Sequence, residues 1–169
     1  MQNKPTKLTI RSATVEDVPV VLDFIRRLAE YEKLSHVVVV TEELLREEMF
    51  GARSHVEVLL GHAGGQAVGF AVYFHNFSTF LGRNGLYLED LFVLPEMRGR
   101  GYGKQLLLAL ASIAQQRGCG RFEWAVLDWN QPSIDFYKSL GAVPLDDWTI
   151  FRVTGKALEK LAAMSESST

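Results

Sequence analysis

The 169-residue chain reads as an α/β protein on a mixed, partly antiparallel sheet. Apolar periodicity switches between strand and helix patterns in the order strand, two helices, three strands, helix, strand, helix, strand. The pair Gly64-Gly65 joins two strand-like runs at hairpin spacing, so part of the sheet runs antiparallel. The length suits one domain, with a core that needs neither disulfide nor metal.

Residues 8–11 read as a first strand. Thr14 then stands as an N-cap, with Asp17 as a variant of the capping box. Val18, Val21, Leu22, Ile25, Leu28 and Ala29 recur at helical spacing, which carries a helix to about Tyr31. A shorter helix follows Thr41, with Leu44, Leu45 and Met49 on one side. Residues 56–60 and 67–74 are the hairpin strands, and 77–85, rich in Ser, Thr, Asn and Gly, reads as a loop. Residues 86–94 form a central strand, stopped by Pro95. A glycine-rich turn leads into an apolar helix over 104–117, ended by Gly118. A strand over 121–126, a helix with Pro132 in its first turn, a strand over 148–153 and a short helix capped by Thr154 complete the chain.

Composition narrows the function. A net charge of -2 does not fit a protein that lives on nucleic acid. The apolar runs are too short to span a membrane, and residues 1–7 lack the apolar stretch of a signal peptide. Cys119 is the only cysteine, which excludes an internal disulfide and suits a reducing compartment, so the expected location is cytoplasmic. His36, His55, His62 and His75 show no metal-ligand spacing, and no metal is expected. The tail, 165–169, is expected to be disordered.

The most informative segment is Arg98-Gly99-Arg100-Gly101-Tyr102-Gly103-Lys104, set between a strand and a helix. Glycines let a ligand approach the backbone, and the free N–H groups of a helix start attract phosphate. Arg98, Arg100 and Lys104 bring positive charge to the same place. The spacing is not that of a P-loop, since Arg98 stands at the first glycine position and Gln105 follows the lysine. Nor is it a dinucleotide fingerprint, because the glycines fall at every second residue.

What remains, R-x-x-G-x-G at Arg98, Gly101 and Gly103, resembles the acetyl-CoA signature of the GCN5-related N-acetyltransferases. The runs over 87–93, 129–133 and 136–138 are similar to the diamine acetyltransferase branch, the spermidine/spermine N-acetyltransferases. Those over 28–35 and 125–131 are similar to its thialysine N-ε-acetyltransferase members, and the likeness covers about 8–161. The resemblance implies a single acetyltransferase domain whose sheet is mostly antiparallel, with splayed central strands and helices on both faces. It also implies acetyl-CoA as cosubstrate and a homodimer.

Amine acetylation needs a neutral amine, a stabilised oxyanion and a proton for the departing thiolate. A lysine-like amine titrates near ~10.4, so neutralising it near about pH 7.4 costs roughly 4 kcal/mol. Glu89 and Asp90 lie on the central strand, where alternation sends them to opposite faces. The resemblance gives Glu89 the substrate-side role of assisting deprotonation. Tyr137, by its residues alone, is equally a core aromatic beside Phe136 and a proton donor; the resemblance makes it the acid that protonates the CoA sulfur. It also implies that Leu91, Phe92 and Val93 face the pantetheine and acetyl carbonyl, that residues 98–104 hold the pyrophosphate, and that Asn130, Gln131, Pro132 and Ser133 line the cofactor.

On the acceptor side the resemblance points to Tyr31 and Glu32 for the distal part of the amine, and to Glu123, Trp124 and Ala125 as another wall. By its residue type alone Glu32 is equally a solvated helix-end charge. Asp146 or Asp147, before Trp148, supplies a further acidic contact, with the register open between them. Where polyamine acetylases carry an acidic residue and a tryptophan, this chain has Ser78 and Phe80. Fewer carboxylates weaken the hold on a long polycation, so a compact, lysine-like amine such as thialysine is favoured over spermidine or spermine, with a peptide acceptor standing as a further alternative. With no convincing nucleophile, direct transfer in a ternary complex is expected. A non-catalytic acyl-CoA sensor would need neither Glu89 nor Tyr137.

Overall fold

The structure, a computed structural model, describes residues 7–165, so most of the tail expected to be disordered and most of the N-terminal segment lie outside the described residues. The chain forms two compact units, residues 1–125 and 126–169. Each is taken by itself.

The first unit is built on a five-stranded sheet in the order β1-β2-β3-β4-β5. The strands are β1 (Thr9–Ser12), β2 (Val56–Ala63), β3 (Gln66–Ser78), β4 (Arg83–Val93) and β5 (Phe122–Trp124). The first four pair antiparallel and β5 joins β4 in parallel, which makes the sheet mixed and mostly antiparallel. Helix α1 (Val18–Tyr31) and helix α2 (Glu42–Phe50) precede β2, and helix α3 (Tyr102–Gln116) links β4 to β5.

Strand alternation divides the apolar side chains between two faces. On one face Val58, Leu60, Phe70, Val72 and Phe92 meet Val18, Val21, Leu22, Phe24 and Leu28 of α1 and Leu45 of α2. The rings of Phe24, Phe70 and Phe92 stand 5.5 to 6.5 Å apart, at tilted or edge-on angles. On the other face α3 buries Tyr102, Leu106, Leu107, Leu110 and Ala114. Each buried leucine among these contributes roughly 1.5–3 kcal/mol. At the end of α3, Arg117 pairs with both carboxylate oxygens of Glu57 on β2, and the Tyr73 hydroxyl on β3 donates to the same group at 3.0 Å. The Arg117 guanidinium holds Glu57 below the usual carboxylate range, while burial and the Glu57 charge push the Tyr73 phenol up to about 12.

Local signals explain the element ends. The Thr14 N–H donates to Asp17 at 2.8 Å, and Arg11 holds the same carboxylate at 2.6 and 2.8 Å, so the chain enters α1 through one tight turn over 15–17. The Leu44 N–H donates to the Thr41 hydroxyl at 3.3 Å and caps α2.

The loop expected over 77–85 is shorter than its composition implies. The β3–β4 ladder continues through polar residues to the pair Ser78 and Arg83. Backbone pairing does not need apolar side chains, and the Gly82 N–H closes the turn on the Ser78 carbonyl at 2.9 Å. Strand β5 is also shorter than 121–126, with only three pairs to β4.

The second unit holds helix α4 (Gln131–Ser139) and helix α5 (Gly155–Ala163). Pro132 sits in the first turn of α4 and the Asn130 side chain accepts the Ser133 N–H at 3.4 Å. The strand expected over 148–153 is not formed. Ile150 and Phe151 are 77% and 90% exposed, and the segment has no ladder partner among the described residues. An apolar, β-prone run becomes a strand only where a neighbour satisfies its N–H and C=O groups. No helix among the described residues is long and apolar enough to cross a membrane.

Candidate active site

The glycine turn has the backbone that a phosphate cradle needs. Gly99 and Gly101 take φ of 74° and 78°, the left-handed region open to glycine at little cost. Nothing lies within 4 Å of where a Cβ would stand at either position, so the approach to this backbone is open. Gly101 is the N-cap of α3, and the first intrahelical bond is that from the Gln105 N–H to the Gly101 carbonyl, 3.0 Å. The N–H groups of Gly103 and Lys104 therefore have no acceptor inside the helix. With the exposed cations of Arg100 and Lys104 beside them, they fit an anionic, phosphate-bearing group.

Arg98 does something else as well. Its Nε–H donates to the Val93 carbonyl at 3.0 Å, and its guanidinium lies 4.4 Å over the ring of Tyr31. The start of the turn is thus tied both to the end of β4 and to the end of α1.

Strand β4 parts from β5 early. Its last pair with β5 is Leu88 with Trp124, while the strand itself runs on to Val93. Among the described residues, 89–93 therefore have no ladder partner on the β5 side. Leu91, Phe92 and Val93 lie in this stretch beyond the last β4–β5 pair.

The two acidic residues of β4 are not placed as simple alternation implies. The β3–β4 register shifts between Val72 and Tyr73, so that Tyr73 opposes Leu88, Val72 opposes Asp90, and Glu89 is the extra residue of a bulge. In such a bulge both residues lie on the side of the one they oppose, and Val72 belongs to the core beneath α1. Glu89 and Asp90 therefore share the α1 side rather than facing opposite ways. Burial, followed by the charges of Glu89 and Glu32, pushes the Asp90 carboxyl up to about 7. Burial alone raises Glu32, the residue that caps α1. The chain signalled this only as two adjacent carboxylates interrupting an apolar strand.

Other expected site residues are occupied differently. Glu123 forms an ion pair with Arg121 at 2.9 Å and accepts from the Asn76 amide at 3.0 Å. Its charge is engaged within the unit, while Trp124 packs its ring 4.9 Å from Phe122 and Ala125 is exposed. Ser78 is buried and its hydroxyl accepts the Leu81 N–H at 3.3 Å, so it shapes the turn; Phe80 is 95% exposed.

In the second unit Tyr137 is half-buried on α4, its ring 5.3 Å from that of Phe136. Gln131, Pro132 and Ser133 form the first turn of α4. Asp146 and Asp147 are both exposed, in a turn closed by the Trp148 N–H on the Leu145 carbonyl at 3.2 Å. Among the described residues no group of three or more His, Cys, Asp or Glu side chains is placed to hold a metal ion.

A mixed sheet whose fourth strand runs on past its last pair with β5, followed by a left-handed glycine turn at a helix start, offers backbone groups suited to a phosphate-bearing ligand. The acetyltransferase (GNAT) family model matches residues 25–142, and the chain belongs to that family. It is 40% identical to a protein of Mus musculus and 42% identical to one of Sus scrofa, both named thialysine N-epsilon-acetyltransferase; each match covers 90% of this chain and 96% of the relative. It is 30% identical to an L-ornithine N5-acetyltransferase of Arabidopsis thaliana, over 90% of this chain and 86% of that one. Among solved structures, an integron cassette protein from V. cholerae superposes with a TM-score of 0.78 at 29% identity, covering 92% of this chain and 97% of that one. The chain is an acyltransferase of the amine N-acetyltransferase class.

Proposed function

We propose that the enzyme transfers the acetyl group of acetyl-CoA to the side-chain amine of thialysine or a similarly compact diamino acid, directly and in a ternary complex. The observation that carries this reading is identity of about 40% over 90% of the chain with relatives that bear the thialysine name. The ornithine-acetylating relative points to the same acceptor size. Ser78 and Phe80, in place of an acidic residue and a tryptophan, favour a short acceptor over a polyamine.

In this reading the turn over 98–104, through the helix-start N–H groups of Gly103 and Lys104 and the charges of Arg100 and Lys104, holds the CoA pyrophosphate. The free edge of Leu91, Phe92 and Val93 receives the pantetheine and the acetyl oxygen. Glu89 assists deprotonation of the amine, and Tyr31 and Glu32 hold the distal end of the acceptor. Trp124 and Ala125, more than the ion-paired Glu123, bound it, with Asp147 a further acidic contact. Asn130, Gln131, Pro132 and Ser133 contact the cofactor, and Tyr137 protonates the leaving thiolate. The family match spans residues 25 to 142 and favours one functional domain. We further place the enzyme in the cytoplasm as a homodimer, with neither nucleic acid nor membrane as partner.

The test is release of CoA thiol from acetyl-CoA with thialysine, lysine, ornithine, putrescine, spermidine and spermine, in wild type and Tyr137→Phe. Preference for thialysine or ornithine, lost by roughly 10²-fold or more in the variant with acetyl-CoA affinity kept, is the expected result. Spermine turned over in preference to thialysine overturns the compact-acceptor reading. Full turnover by Tyr137→Phe overturns the proton-donor assignment.

A further inference from the structure

Glu89 and Asp90 are neighbours on one side of the sheet, and neither has a cation of the protein's own for company. Among the described residues, Glu32, Glu89 and Asp90 make no salt bridge and no side-chain hydrogen bond. The groups around them do not change this. From β3 the opposed residue is Val72, which is apolar; β5 has already parted at Leu88; and Arg98 is turned to the Tyr31 ring and the Val93 carbonyl. Unpaired like charges raise the energy of the free protein, and a bound ammonium removes that cost. In an amine acetyltransferase the acceptor brings that ammonium.

The two members of the β4 pair differ in exposure. Glu89 is exposed and Asp90 is half-buried. We propose that Asp90 is the proton-relay partner of Glu89: Glu89 meets the acceptor ammonium, and Asp90 stores the proton that the ammonium gives up. The inference rests on the proposed amine acceptor and adds a residue to its chemistry.

The step balances. The ammonium loses one proton through Glu89 to the Asp90 carboxylate, leaving a neutral amine and a carboxylic acid. The amine nitrogen then forms its bond to the acetyl carbon, and the carbon–sulfur bond breaks. The nitrogen gives up its second proton and the thiolate gains one, so the single net proton is the one on Asp90, which returns to solvent. A carboxyl held at about 7 can be emptied and refilled at neutral pH. Compared with an aspartate at its usual value near ~3.9, it is a stronger base by about a thousandfold.

The experiment measures kcat/KM for thialysine against pH at saturating acetyl-CoA, in wild type, Glu89→Gln and Asp90→Asn. It is paired with ¹³C NMR titration of the Asp90 carboxyl carbon in the wild-type protein. The expected wild-type profile rises through an inflection near about 7, and the Asp90 carbon titrates at the same place. Asp90→Asn removes that inflection and lowers the plateau roughly 10²-fold, with acetyl-CoA affinity unchanged. Glu89→Gln moves the Asp90 titration to lower pH, because a neighbouring negative charge is gone. A wild-type inflection retained in Asp90→Asn overturns the relay. So does an Asp90 carbon that titrates near the ordinary aspartate value, even if that variant fails to fold. Amine turnover with an ordinary Asp90 titration sinks the relay alone; no turnover of any amine sinks the acceptor reading and the relay with it.

Discussion

The guanidinium of Arg98 lies over the ring of Tyr31, 4.4 Å from its centre, while its Nε–H reaches the Val93 carbonyl at 3.0 Å. One side chain thus joins the glycine turn to β4 and to the last residue of α1, where Glu32 follows. A planar cation held over an aromatic ring that also donates along a fixed direction is not replaced by a lysine. Ordering the turn and ordering the end of α1 are coupled through it.

Arg98→Lys is accordingly expected to raise KM for the amine several-fold and to weaken acetyl-CoA binding. Arg100→Lys, on an exposed residue of the same turn, is expected to leave the amine KM alone. A double-mutant cycle of Arg98→Lys with Tyr31→Leu, read by thermal denaturation, is expected to give a coupling of about 0.5–1 kcal/mol. An unchanged amine KM in Arg98→Lys would show that the brace has no influence on the acceptor side.

Gly101 is the second test of the turn. Its φ of 78° costs an L-residue about 1–2 kcal/mol, yet no atom lies within 4 Å of the missing Cβ. Gly101→Ala is therefore expected to lose stability by backbone strain alone, with no clash to relieve. Because relaxation of that strain reorients the N–H groups of 102–104, acetyl-CoA affinity measured by calorimetry is expected to fall at least tenfold. A variant that keeps its affinity but loses its stability would separate the turn's conformation from ligand binding.

The glycine turn was legible because its chemistry is local: residue type, spacing and position between a strand and a helix say what the backbone does. The α1 stripe was legible for the same reason, since Val18, Val21, Leu22 and Leu28 carry their period in the chain itself and all are buried. The sidedness of Glu89 and Asp90 was not. It depends on a single unpaired residue in the β3–β4 ladder, and nothing in either strand alone records that count. Residues 148–153 failed in the opposite direction. Their apolar character reads as strand, but a strand is a property of two segments, and composition carries information on one. Over 77–85 the composition reads as loop, yet a ladder needs only backbone groups to continue and runs to Ser78 and Arg83.

The burial of Asp90, reinforced by the neighbouring charges of Glu89 and Glu32, has a stability consequence that can be separated from catalysis. The folded-state value of Asp90, about 7, stands above the ordinary value, so the folded protein keeps a proton that the unfolded chain releases. At acid pH, below both values, the group is protonated in either state and contributes nothing. As pH rises between the two, the unfolded state gains by ionising first, and above about 7 the full penalty is present. Asp90→Asn removes the charge while keeping the shape. It is expected to raise stability by a few kcal/mol at about pH 8 and to change it little at about pH 3, measured by urea denaturation at each pH. The same substitution is expected to slow acetyl transfer, the trade expected where a strained charge is kept for function. Equal effects of Asp90→Asn at both pH values would mean that the folded-state titration of Asp90 is ordinary.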